Sequence, residues 1–114
     1  MKRYTYVVLT NCVESRDEAF NRWYDDVHIP DLLRIPGVVG ATRSRLADAQ
    51  TARVNDALSV VSEADTPFRY LAVYKFETDD LHTVLKTIVE RANTPEMVIS
   101  KDLTDVQTML YEDF

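Results

Sequence analysis

His28 stands four residues after Tyr24, two before Pro30, and among three carboxylates, Asp25, Asp26 and Asp31. An imidazole is the side chain whose charge changes near neutral pH without help, and neighbouring aspartates can orient it or raise its basicity. The group is equipped for general acid–base work, or for donating a hydrogen bond to a substrate oxygen, with Tyr24 and Asp26 assisting. The alternative is structural: a ring at a helix end, donating to a carbonyl or a carboxylate. Trp23 and Tyr24 are adjacent, so on a helix they point about 100° apart, and one can pack the core while the other faces a cavity. Trp23 is then either core or pocket wall.

Three further tyrosines, Tyr6, Tyr70 and Tyr74, fall in strand-like runs. A buried phenol without a partner costs roughly 1–3 kcal/mol, so they line either a pocket with polar spots or a subunit interface with hydroxyls at its rim. Arg43 and Arg45 share one face of a strand and could hold a carboxylate or phenolate by charge-assisted bonds, or protect an edge strand. Metal chemistry finds few ligands: His28 and His82 are far apart and Cys12 is alone. No serine is framed by glycines and nothing basic surrounds Cys12, so a nucleophilic mechanism is not expected.

The elements that carry these residues follow from pattern. Ser15-Arg-Asp-Glu18 has the form of a capping box, Phe20, Trp23 and Val27 share a helical face, and the residue before Pro30 is biased out of the helix. A helix is therefore expected from about Ser15 to Val27, ending near His28. A strand precedes it over Arg3 to Thr10. Pro36-Gly37 turns into a second strand, Val38 to Leu46, with Gly40 marking a bulge or a close approach. Residues 47–67 form a polar excursion around Ala57–Val61, to be a short helix or an extra strand. Phe68 to Phe76 is the strongest strand, with aromatics on alternate residues. Leu81, Val84, Leu85, Ile88 and Val89 then make one helical stripe within Asp79 to Ala92, closed by Thr94-Pro95. The last strand spans about Thr104 to Tyr111.

The order βαββαβ predicts an α+β, ferredoxin-like domain over residues 1–114, with a four-stranded antiparallel sheet and two helices on one face. Since two helices cover one side only and the central strands are apolar on both, a second copy is the simplest cover for the other side. With 46% of its 114 residues hydrophobic, the chain can bury a core without disulfides. The lone cysteine fits a reducing compartment, and no segment reaches the roughly 20 apolar residues of a membrane span, so a cytoplasmic protein is expected. A formal charge of −6 without a basic run argues against nucleic acid as partner.

Phe20, Trp23, Tyr24, His28, Pro30, Leu33, Pro36 and Gly37 together resemble the opening motif of the dimeric α+β barrel superfamily, and within it the EthD-like small proteins. The resemblance implies a homodimer whose sheets face each other, each subunit keeping a cavity between sheet and helices. It implies cofactor-independent isomerase, cyclase, oxygenase or lyase chemistry on a small hydrophobic or aromatic metabolite. The rival readings are a non-catalytic small-molecule-binding or stress-accessory homodimer, in which the same motif only stabilises the helix exit, and a haem-handling protein.

Overall fold

Tyr4, Val8, Thr10 and Cys12 are buried along one side of strand β1 (Lys2–Cys12) in the computed structural model, which describes residues 1–114. Helix α1 (Asp17–Trp23), a π-helical turn (Tyr24–His28) and helix α2 (Ile29–Leu33) follow as one interrupted helical run. Strands β2 (Val38–Arg45), β3 (Gln50–Val54), β4 (Ala57–Val61) and β5 (Tyr70–Thr78), helix α3 (Leu81–Arg91) and strand β6 (Leu103–Glu112) complete the chain. The main sheet has the order β2-β5-β1-β6, with every neighbouring pair antiparallel. That is the ferredoxin-like order, and the two apolar strands occupy its centre as their patterning requires.

Register fixes the faces. Tyr6 pairs with Tyr74, Arg43 with Ala72, and Arg45 with Tyr70. Residues directly opposite share a face, so all of these lie on the helix-covered side. Tyr70 and Tyr74 are 7% and 1% exposed beneath the helical layer, which removes the interface reading for them. The other side carries Val7, Leu9, Leu71 and Val73, half-buried, with Met109 and Tyr111 exposed beside them on β6. Nothing in the chain packs on that side in bulk: the molecule measures 45 × 38 × 17 Å, its shortest extent being one sheet and one helical layer.

Three local expectations are corrected. Ser15 has φ 69° and makes no cap; α1 begins after Arg16 without a side-chain cap, and Glu18 pairs with Arg22 one turn on. A residue in the left-handed region cannot offer the extended backbone that a capping serine needs. The helix also does not stop at His28. Ile29, immediately before Pro30, is helical at φ −57°, ψ −49°, and its N–H bonds to the carbonyl of Tyr24, five residues back. A proline inside a helix lacks one N–H and clashes with the carbonyl four residues earlier. The wider π turn supplies the room, and Pro30 then sits in the first turn of α2, where its missing donor costs nothing.

The excursion is neither a helix nor a single added strand. It is a β-hairpin of β3 and β4, turned at Asn55 and Asp56, both with positive φ (50° and 63°). Asn and Asp tolerate the left-handed region, and two such residues in sequence make the turn whose twist suits a hairpin. Its outer positions Leu58 and Val60 are 78% and 81% exposed. The bulge expected at Gly40 is present, as a register shift between Val38 and Gly40 that leaves Val39 exposed.

Gly37 holds the connection into β2. It has φ 97°, and a Cβ there would lie 2.8 Å from Cγ2 of buried Val84 on α3. Backbone strain and a forced core shift each cost roughly 1–3 kcal/mol. Gly37→Ala is therefore expected to lower stability by at least about 2 kcal/mol in urea denaturation. An unchanged midpoint would show that α3 yields freely.

Candidate functional site

Between the sheet and the helices lies a cavity of about 290 Å³. β1 contributes Tyr6, Val8 and Thr10, β5 contributes Tyr74, and β6 contributes Leu103, Val106 and Thr108. The helical run adds Trp23, Tyr24, His28 and Leu32, while Ile88, Ala92, Met97 and Ile99 close the far wall. Trp23 ties that wall to α1, its indole N–H donating to the carbonyl of Val98 at 3.1 Å. Twelve of the fifteen lining residues are hydrophobic; the others are Thr10, His28 and Thr108.

The π turn assembles the aromatic corner. In a regular α-helix, residues five apart point about 140° away from each other. Bonding from i to i+5 brings them to the same side. Trp23 and His28 are five apart and stack, with ring centres 4.7 Å apart and planes 24° from parallel. Tyr24 meets the same imidazole edge-on at 5.0 Å, and Phe20 packs edge-on against Tyr24 at 5.6 Å.

His28 Nδ1 is buried without a hydrogen-bond partner, and neither ring nitrogen forms a hydrogen bond within the protein. The ring therefore does not cap the helix end. Burial drives its pKa down from 6.5 to about 4; Asp31 opposes the shift and Arg43 adds to it. The expected rise in basicity from nearby aspartates is overturned because desolvation exceeds it, because Asp26 is exposed, and because Asp25 and Asp31 are paired with arginines. Asp31 pairs with Arg34, and Asp25 with Arg43 at 3.0 Å. At pH 7 the imidazole is neutral. The Tyr74 hydroxyl is likewise buried, with the Tyr24 phenol as its polar neighbour. Burial first, and then Tyr24, pushes the Tyr74 phenol upward. Tyr24 is raised mainly by burial and is partly eased by Tyr74 and Arg43. Both phenols stay protonated near neutrality, as donors.

The structure thus brings Tyr6, Trp23, Tyr24, His28 and Tyr74 to one cavity and leaves the other expected residues outside. Asp26 is exposed, on the outer side of the π turn from its neighbours Tyr24 and His28. Arg43 lies over the far face of the corner, its guanidinium carbon 4.1 Å from the centre of the Tyr24 ring, tied to Asp25 and to Asn21 Oδ1 at 2.9 Å. Arg45 and Tyr70 line a separate polar cleft beside Arg43, where Tyr70 donates to Asp17 Oδ2 at 2.5 Å and accepts from Asn21. Two arginines on one strand face share a direction, but neither lines the cavity, and Arg43 meets it only across the Tyr24 ring. Thr10, Met97 and Ile99 were missed. Thr10 continues the alternate-residue face of Tyr6 and Val8, a signal that was available. Met97 and Ile99 sit in an irregular segment after α3 and carry no periodicity. His82 is exposed on α3, and no three His, Cys, Asp or Glu side chains converge anywhere in the chain.

No family model matches this sequence, and neither does any curated protein. Among solved structures, the chain is similar to an ethyl tert-butyl ether (EthD) family protein from Bacillus halodurans, at 15% identity and a TM-score of 0.54, over all of both chains. At that identity the likeness carries the fold: the α+β arrangement expected from the order of the elements is shared across the full length, in a protein of the family that the Phe20–Gly37 motif resembles. No helix is long and apolar enough to cross a membrane.

Proposed function

We propose that this chain takes a small hydrophobic or aromatic metabolite into the cavity between sheet and helices and moves a proton on it without a bound cofactor. His28 exchanges the proton, and Tyr24 donates to the oxygen on which charge develops. The observation that carries this reading is an imidazole, neutral at pH 7 and free of internal hydrogen bonds, set in the wall of an apolar cavity. An unprotonated ring can accept a proton at once, and a phenol held protonated by burial supports an enolate oxygen. Isomerisation, cyclisation, decarboxylation and oxygenation next to a carbonyl each involve such a step. Asp26, exposed, has no part in it.

Small molecules extracted from freshly purified protein and identified by mass spectrometry provide the test. Incubated with the protein in deuterated water, the recovered compound should gain deuterium at one C–H position. A recovered ligand that exchanges nothing and is not converted would instead establish a binding protein of the same fold.

The reading includes a homodimer closed over the open sheet side. Val7, Leu9, Leu71, Val73 and Met109 leave an apolar surface there, and its burial is worth about 25 cal/mol per Å². Light scattering at micromolar concentration should give twice the chain mass of 13.1 kDa. A monomer would remove the dimer from the proposal.

A further inference from the structure

The cavity wall contains no Asp, Glu, Lys or Arg, and its one titratable base is neutral at pH 7. Two formal charges reach His28 electrostatically, and each is balanced outside the wall: Arg43 by Asp25, and Asp31 by Arg34. An ion moved into such a space loses its hydration and gains no counter-charge, which disfavours the charged form. The polar groups that face inward are instead neutral donors and acceptors, namely imidazole, phenol and threonine hydroxyl. A volume near 290 Å³ at interior packing density holds one or two rings.

We infer that the ligand of this cavity is bound uncharged, as a compound of one or two rings bearing both a hydroxyl and a carbonyl-like acceptor. This rests on the reading above that the cavity is the ligand site, and it replaces the carboxylate or phenolate expected from Arg43 and Arg45. A weak acid entering the site takes a proton from the buffer and keeps it on its own oxygen.

The probe is 4-nitrophenol, which has a hydroxyl and an acceptor, ionises near neutrality, and is yellow only as the phenolate. At pH 8, excess protein should bleach the colour, because the bound form is the phenol. Affinity should fall about tenfold per pH unit above the probe's own pKa. The indole N–H resonance of Trp23, the single tryptophan, should shift on binding and so place the probe in this cavity. Val106 is a half-exposed position on the cavity wall, and Val106→Lys, which puts a cation there, should keep the bound probe yellow. A yellow wild-type complex, no binding up to millimolar probe, or a lysine variant that still bleaches the colour would each overturn the inference. A yellow complex would leave the proton-transfer reading standing. A colourless complex without deuterium exchange into the native ligand would end that reading alone.

Discussion

Between pH 7 and pH 4 the wild-type protein should lose about 3 kcal/mol of stability that a His28→Asn variant does not lose. The magnitude follows from a pKa of 6.5 for the unfolded imidazole against about 4 in the fold. Above pH 6.5 both states hold the ring neutral, and it contributes no pH dependence. As pH falls through 6.5 the unfolded chain binds a proton that the folded chain refuses, so the equilibrium moves toward unfolding. The loss continues until pH 4, where the folded protein begins to take the proton as well. Carboxylates titrate in the same window, so the quantity to measure is the difference between wild type and variant in urea denaturation at each pH. Parallel curves would mean that the ring is solvated, and would remove the physical basis for a neutral imidazole in the cavity.

Once the native compound is identified, His28→Ala should lower the rate of proton exchange by 10²–10⁴-fold, the range for removal of a general base, while binding is largely kept. The wild-type rate should rise with pH through an apparent pKa of about 4 and stay level across neutrality, because the base is already deprotonated there. A profile that bends near 6.5 would place a solvated imidazole in the mechanism. An unchanged rate in the variant would pass the chemistry to another group. Tyr24→Phe should lower the rate without moving the pH profile, since the phenol is a donor throughout this range.

Much of the scaffold was legible in the residues, for reasons that also show where legibility ended. Alternating aromatics in β5 and tyrosines in β1 report a strand covered on one face, and α3 announces itself by an apolar stripe closed at Asp80 and Ala92. These are short-range periodicities, and tertiary packing agrees with them. The order of elements followed from those periodicities along the whole chain, and the Phe20–Gly37 motif added the resemblance that implied a cavity. What failed involved competition between local rules. Ser15 had the composition of a cap but not its backbone. Pro30 carries a real bias against helix in the residue before it, and the π turn overcame that bias by widening the ladder. The basicity of His28 depended on a balance between nearby carboxylates and desolvation, and only the three-dimensional burial shows that desolvation is larger. Arg43 and Arg45 have the right spacing for a shared ligand, but spacing cannot report that Tyr24 stands between Arg43 and the cavity.

The π turn has a consequence for descent. One extra residue per turn is equivalent to an insertion absorbed inside a helix, so the corner of Trp23, Tyr24 and His28 depends on how many residues lie between its members as much as on which residues they are. A chain keeping every one of these side chains but one residue shorter between Trp23 and His28 would hold them four apart on an ordinary helix. Gap placement in an alignment across Tyr24–His28 is therefore a functional statement, and relatives that align without a gap but lack the widened turn would be expected to share the scaffold and not the site.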